Sequence, residues 1–186
     1  LHSFPTRRSS DLIAKSPVPV IIKEVGFGMS QSAIKTIQQL NPAAINIGGA
    51  NGTNFAVIER RRNRQAETLN IDQFGLSTVE SLISAQIMQN QYPIIATGGI
   101  QSANDVITSL MLGATLVSSA GFMLKTLMDD GQSALVQQIE GWQSALPRLL
   151  TLLGAQSNQE LAEKQRLYSP SLQNFITQQK ASPENR

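Results

Sequence analysis

Two short apolar runs, Pro93 to Thr97 and Thr115 to Ser119, each end in a pair of small residues that opens a helical pattern. The first pair is Gly98-Gly99 and the second is Ala120-Gly121. A strand that feeds a helix and then a further strand implies parallel pairing, because the crossover returns the chain to the same end of the sheet. Repeating that plan at successive strands brings two turns of small residues side by side. Their backbone N–H groups, together with the positive ends of two helix dipoles, suit one anion such as a phosphate. A single Gly-Gly after a strand is more often just a tight turn. Two pairs at consecutive strand ends favour the phosphate reading.

The same alternation runs through the rest of the chain from residue 17 onward. Val18 to Lys23 has strand length, Gly26-Phe-Gly28 turns the chain, and Ser30 to Leu40 has helical spacing. Ala43 to Ile47 is the next strand, ending at Gly48-Gly49. Ser77 to Gln89 is helical, with Ser77 and Glu80 spaced as a capping box. Pro93 to Thr97 leads to the helix Ser102 to Leu112, and Thr115 to Ser119 leads to helical pattern from Phe122 to Leu153. Ser157 to Lys164 reads as a short final helix.

Strands and helices in strict alternation predict an α/β fold. Four such units are half of a (β/α)8 barrel, whose phosphate site commonly follows its last two strands. The chain of 186 residues is short of the roughly 250 that a full barrel needs, so the expected architecture is a partial TIM barrel made of its last four βα units. A four-stranded doubly wound sheet is the alternative. Residues 1–12 lack strand or helix periodicity and are expected to be a non-native or unstructured leader. Residues 13–168 form the half-barrel, and the polar stretch 169–186 is expected to be a loose tail.

Composition narrows the chemistry. The formal charge of +2 forces no nucleic-acid surface, and no apolar run reaches the ~20 residues of a membrane helix. The most basic run, Arg60 to Arg64, reads as a solvated helix face or subunit contact. The chain has no cysteine, which removes disulfides, thiolate metal sites and cysteine nucleophiles and fits a cytoplasmic location. The single histidine, His2, lies in the leader and carries no catalytic weight.

Lys23 ends the first strand, where a barrel would aim its ammonium at the mouth; snorkelling to solvent is the plainer reading. The loop Gly48-Gly-Ala-Asn-Gly-Thr53 permits close backbone approach and adds a hydroxyl at Thr53, yet it also reads as an ordinary glycine-rich loop. It is not a P-loop, since no Gly-Lys-Ser/Thr follows. Glu24 and Glu59 are the acids nearest strand ends, and each is expected to partner a nearby Arg or Lys. No carboxylate pair, metal-ligand cluster or Ser-His-Asp set can be assembled. Trp142 and the leucines from Leu146 to Leu153 sit at helical spacing and are expected in the core.

With these residues in view, the chain resembles the C-terminal half of the type 2, FMN-dependent isopentenyl-diphosphate isomerases over residues 13 to 176. Four segments carry the resemblance in order: Val20-Ile-Ile-Lys-Glu-Val-Gly26, Ile47-Gly-Gly-Ala-Asn-Gly-Thr-Asn-Phe-Ala-Val-Ile-Glu59, Ile95-Ala-Thr-Gly-Gly-Ile100 and Ala120-Gly121. The second is the most specific; the third is shared by many FMN barrels. The resemblance implies that Lys23 and Thr53 touch the flavin, and that Gly98, Gly99, Ala120 and Gly121 hold the FMN phosphate through backbone donors. Gly48 stands where relatives often carry a flavin-contacting serine. The implied reaction converts isopentenyl diphosphate to dimethylallyl diphosphate, with reduced FMN as acid/base, NAD(P)H as its reductant and Mg²⁺ beside the substrate. The family's substrate and Mg²⁺ residues belong to its N-terminal half and have no counterpart here. The catalytic residues are therefore unassigned, and the isolated chain is expected to be inactive, a truncated fragment of a homo-oligomeric enzyme. Another FMN-dependent TIM-barrel oxidoreductase is the competing reading. The 2-hydroxy acid oxidases need a histidine in this half and the inosinate dehydrogenases a cysteine, and neither is present.

Overall fold

The computed structural model describes residues 6–62 and 74–182. Helix α1 (Thr6–Lys15) precedes strand β1 (Ile21–Lys23), helix α2 (Gln31–Gln38) and strand β2 (Ala44–Asn46). Helices α3 (Phe55–Arg62) and α4 (Thr78–Ile87) lead to strand β3 (Ile94–Thr97), helix α5 (Ala103–Met111) and strand β4 (Leu116–Ser118). Helices α6 (Gly121–Leu152), α7 (Asn158–Glu163) and α8 (Pro170–Ala181) follow. The strands form one sheet in the order β1-β2-β3-β4, and every pair is parallel. The result is the α/β partial barrel that the strand and helix alternation predicts.

Cross-strand partners share a face of the sheet, so Lys23, Asn46, Ile95 and Leu116 lie on one side. The opposite side carries Ile45, Ile94 and Ala96, which are buried against α2 and α4 together with Ile34, Ile37, Leu82 and Ile83. Helix α4 starts where its capping box places it: the Ser77 hydroxyl accepts from the Glu80 N–H at 3.1 Å, and the Glu80 carboxylate accepts from the Ser77 N–H at 2.7 Å. A cap of this kind is worth ~1 kcal/mol. A smaller cluster of Ile107, Ala155 and Leu161 joins α5 to α7.

Three expectations are corrected. The stretch after Ser169 is helix α8 rather than a loose tail. Ser169 caps it, Pro170 opens it, and Leu172, Phe175 and Ile176 recur on one face that packs on the main core. Helix α1 crosses the expected boundary at residue 12; it holds no glycine or proline, and Lys15 in its last turn suits the dipole. Helix α6 follows the helical pattern and is interrupted at Gly131, which has φ 84°. No described residue of α6 is fully buried, so Trp142 is not core. It stacks on Phe122 at 6.2 Å instead, while Leu146, Leu149 and Leu150 pack on the smaller cluster and Leu152 is 82% exposed. Helix α6 follows the last strand of the sheet, so only one of its faces has a layer to lie against. His2, Asn63 and Arg64, and the side chains of Glu59, Arg60 and Arg61, lie outside the described residues.

Candidate functional site: a cleft at the carboxyl ends of the strands

A cleft of about 740 Å³ opens where all four strands end. Lys23, Thr53, Gly98, Gly99, Ala120 and Gly121 all line it, so the six residues singled out by sequence meet at one place. Each reaches it by a turn that the local sequence dictates.

Lys23 is the last residue of β1, and its Nζ donates to the Glu24 carbonyl at 2.9 Å. Glu24 itself departs from expectation. Its described partners are backbone groups rather than a cation: Oε2 accepts from the N–H groups of Gly26, Phe27 and Gly28 at 2.7, 2.8 and 3.0 Å. A short chain of N–H groups wrapped on one oxygen satisfies a carboxylate without a salt bridge, a solution that residue spacing does not reveal.

The loops after β2 and β3 lie against each other. Gly98, at φ +110°, sits so close to Gly49 that a Cβ there would stand 2.2 Å from the Gly49 oxygen. A Cβ on Gly99 would stand 2.4 Å from the Asn51 side chain. These two glycines are therefore required by protein packing as well as suited to an anion. The Thr78 hydroxyl donates to the Gly98 carbonyl at 2.6 Å, and Ser119 donates to the Ile100 carbonyl at 2.7 Å, which ties the β3 and β4 turns together.

Gly121 differs. A Cβ on it would meet nothing within 4 Å, so its smallness leaves open space in the cleft. Helix α6 also starts without a side-chain cap at Ala120, whereas α2, α4, α5, α7 and α8 each start at a capping serine. Its first-turn N–H groups thus face the cleft with the positive end of a dipole. The Thr97 hydroxyl, at the end of β3, is buried and has no hydrogen-bond partner among the described residues. An uncapped helix start, open space and an orphaned hydroxyl at one cleft fit a bound phosphorylated group.

Sequence reasoning missed Lys125. It lies one turn into α6, lines the cleft and is hydrogen-bonded to Asp129. That hydrogen bond and the Asp129 charge raise its pKa above the usual 10.5, so it is a cation throughout the neutral range. The i+4 step from Gly121 puts it on the helix face above the cleft, which is the signal that could have found it. Phe55 and Phe122 add apolar rings to the walls. Among the described residues no group of three or more His, Cys, Asp or Glu could hold a metal ion, and no helix is long and apolar enough to cross a membrane.

Known proteins resemble this chain over most of its length. The chain is 46% identical over 171 residues to an isopentenyl-diphosphate delta-isomerase of Lactococcus lactis, covering 92% of this chain and 49% of that protein. It is 42% identical over 168 residues to one of Limosilactobacillus reuteri, covering 90% and 48%. The chain thus spans about half the length of the curated relatives it matches. Among solved structures, a flavocytochrome b2 variant with sulfite bound superposes with a TM-score of 0.64 at 18% identity, covering 92% of this chain and 43% of that one. GMP reductase from Trypanosoma brucei superposes at 0.60 and 18% identity, covering 87% and 36%. Those two likenesses establish the fold alone. The sequence model of the family described as FMN-dependent dehydrogenase spans residues 7–168, strand ends and cleft included, and this chain belongs to that family.

Proposed function

We propose that this chain carries the FMN cradle of an FMN-dependent isopentenyl-diphosphate delta-isomerase, which interconverts isopentenyl and dimethylallyl diphosphate. One observation carries the reading: the six motif residues converge on a single cleft in a chain 46% identical to a protein of that name. Gly98, Gly99, Ala120 and Gly121 offer backbone N–H groups to the phosphate, with the α6 dipole behind them. Lys23 holds an ammonium at the ring end, and the Thr53 hydroxyl provides a donor and an acceptor there. Bound in the cleft, reduced FMN supplies the acid/base chemistry, with NAD(P)H as its reductant. The residues of this chain orient the ring and neutralise the phosphate. Mg²⁺ finds no ligand cluster among the described residues, and its ligands are assigned to the part of the relatives that this chain does not span. The catalytic residues are assigned to the part of the relatives that this chain does not span. Full-length relatives of the chain are read as cytoplasmic homo-oligomers acting on a small diphosphate, with no role for nucleic acid.

The test is visible flavin absorbance of the purified chain, incubated with FMN and then desalted. Retained flavin is the expected result. A colourless protein with native circular dichroism would overturn the cofactor assignment. The chain with reduced flavin is expected to show no isomerisation by itself, and measurable turnover would refute that part of the reading.

A further inference from the structure

We infer that Glu24 is a positioning residue for the ring end of the cleft, its carboxylate organising the turn on which the Thr53 loop rests and its carbonyl holding Lys23. The inference rests on the FMN reading above. Glu24 follows β1 directly, and its N–H donates to the Asn46 carbonyl at 2.9 Å, extending the β1–β2 pairing by one rung. Its carbonyl accepts from Lys23 Nζ at 2.9 Å, so the same peptide that continues the strand also aims the ammonium. Its carboxylate gathers the N–H groups of Gly26, Phe27 and Gly28 at 2.7 to 3.0 Å and curls the chain into a tight turn.

That turn is braced on both sides. The Gly28 N–H donates to the Gly48 carbonyl at 3.1 Å, and the Leu76 N–H donates to the Phe27 carbonyl at 2.7 Å. A Cβ on Gly48 would lie 2.3 Å from the Glu24 carbonyl oxygen and 2.8 Å from its Oε2. A Cβ on Gly26 would lie 2.0 Å from the Thr53 carbonyl oxygen. The carboxylate thus sits at the centre of three loops, and the loop carrying Thr53 rests directly on the turn it organises. None of its contacts reaches the turns after β3 and β4. Losing the carboxylate therefore loosens the ring end while leaving the phosphate end as it is. Three N–H groups converging on one oxygen are a demanding arrangement: alanine leaves those of Gly26 and Phe27 without an acceptor and that of Gly28 with the Gly48 carbonyl alone, aspartate pulls the carboxylate back by one methylene, and glutamine keeps an acceptor oxygen at the same reach.

The experiment compares the unaltered 186-residue chain with Glu24→Ala, Glu24→Asp and Glu24→Gln. FMN and riboflavin affinities are read from quenching of flavin fluorescence, and inorganic phosphate binding to the flavin-free chain from ³¹P line broadening. Circular dichroism checks the fold. Glu24→Ala and Glu24→Asp are expected to weaken FMN and riboflavin by the same factor, about tenfold or more, with phosphate binding unchanged. Glu24→Gln is expected to stay within about threefold of the unaltered chain. If Glu24→Ala does not fold, Glu24→Asp decides by the same criteria. Flavin affinity untouched by Glu24→Asp, or flavin and phosphate binding lost together, would overturn the inference and leave the FMN reading standing. An unaltered chain that binds phosphate but neither flavin would overturn the FMN reading and the inference with it.

Discussion

Gly98 and Gly121 are both glycines at a strand-to-helix turn, and the structure gives them opposite demands. Gly98 combines φ +110° with a Cβ position 2.2 Å from the Gly49 oxygen. Alanine there adds backbone strain to a clash with a rigid neighbouring loop. Such strain is of order 1–3 kcal/mol and overpacking adds a similar amount, so Gly98→Ala is expected to destabilise the chain by about 3 kcal/mol. Gly121 has an ordinary φ and open space around it. Gly121→Ala is expected to leave denaturant stability within about 0.5 kcal/mol and to lower flavin affinity, because its new methyl group enters the cleft. Urea unfolding of the two variants separates the cases; equal losses of stability would contradict this account. From sequence alone the two glycines look alike, since each simply follows a strand. Which of them answers to the protein and which to a ligand is decided by loops some fifty residues away in the chain, and no local pattern records that contact. The same is true of Glu24, whose acceptor role depends on a turn that exists only once the β1, β2 and α4 loops have met.

At the scale of elements, what was legible is what local chemistry determines. The Ser77 and Glu80 spacing marks the start of α4, and apolar runs followed within three residues by glycine mark all four strands. The strands proved shorter than the runs. Val18 to Lys23 has strand length, but only Ile21–Lys23 pairs with β2, because Pro17 and Pro19 contribute no N–H to a ladder. Helix α8 was illegible for a different reason. Its outward face is Gln173, Asn174, Thr177 and Gln178, and this polar majority hides the inward stripe of Leu172, Phe175 and Ile176. Gln31 on α2 reinforces the docking, donating its amide to the Gln179 carbonyl at 3.1 Å. Ile176 is buried in the main core, so Ile176→Ala is expected to cost about 3 kcal/mol, in the range for deleting a buried aliphatic side chain. A thermal midpoint equal to that of the unaltered chain would mean that α8 does not dock in solution.

The whole sheet presents two strands that pair on one side only. Strand β1 bonds to β2 and β4 bonds to β3, and no other described strand meets either. Both edges carry exposed apolar side chains on the face away from the helices: Ile21 is 51% exposed and Leu116 is 60% exposed. Between them lies Ile95, on the same face. A closed barrel would bury that face and remove both edges, and a sheet that stops at four strands does neither. Unpaired N–H and C=O groups beside exposed aliphatics template pairing with another strand, so the chain studied alone is expected to self-associate as its concentration rises. Charge at the edge should oppose this, because a lysine on an edge strand must be desolvated before another strand can pair. Leu116→Lys is expected to shift the chain towards monomer in light scattering coupled to size exclusion, with its circular dichroism retained. Lys125 stands one helical turn beyond this edge and remains cationic at neutral pH, so a second cation at 116 also repels a neighbour that carries the same pair. A chain that is monomeric at all concentrations without the substitution would contradict this account of the two edges.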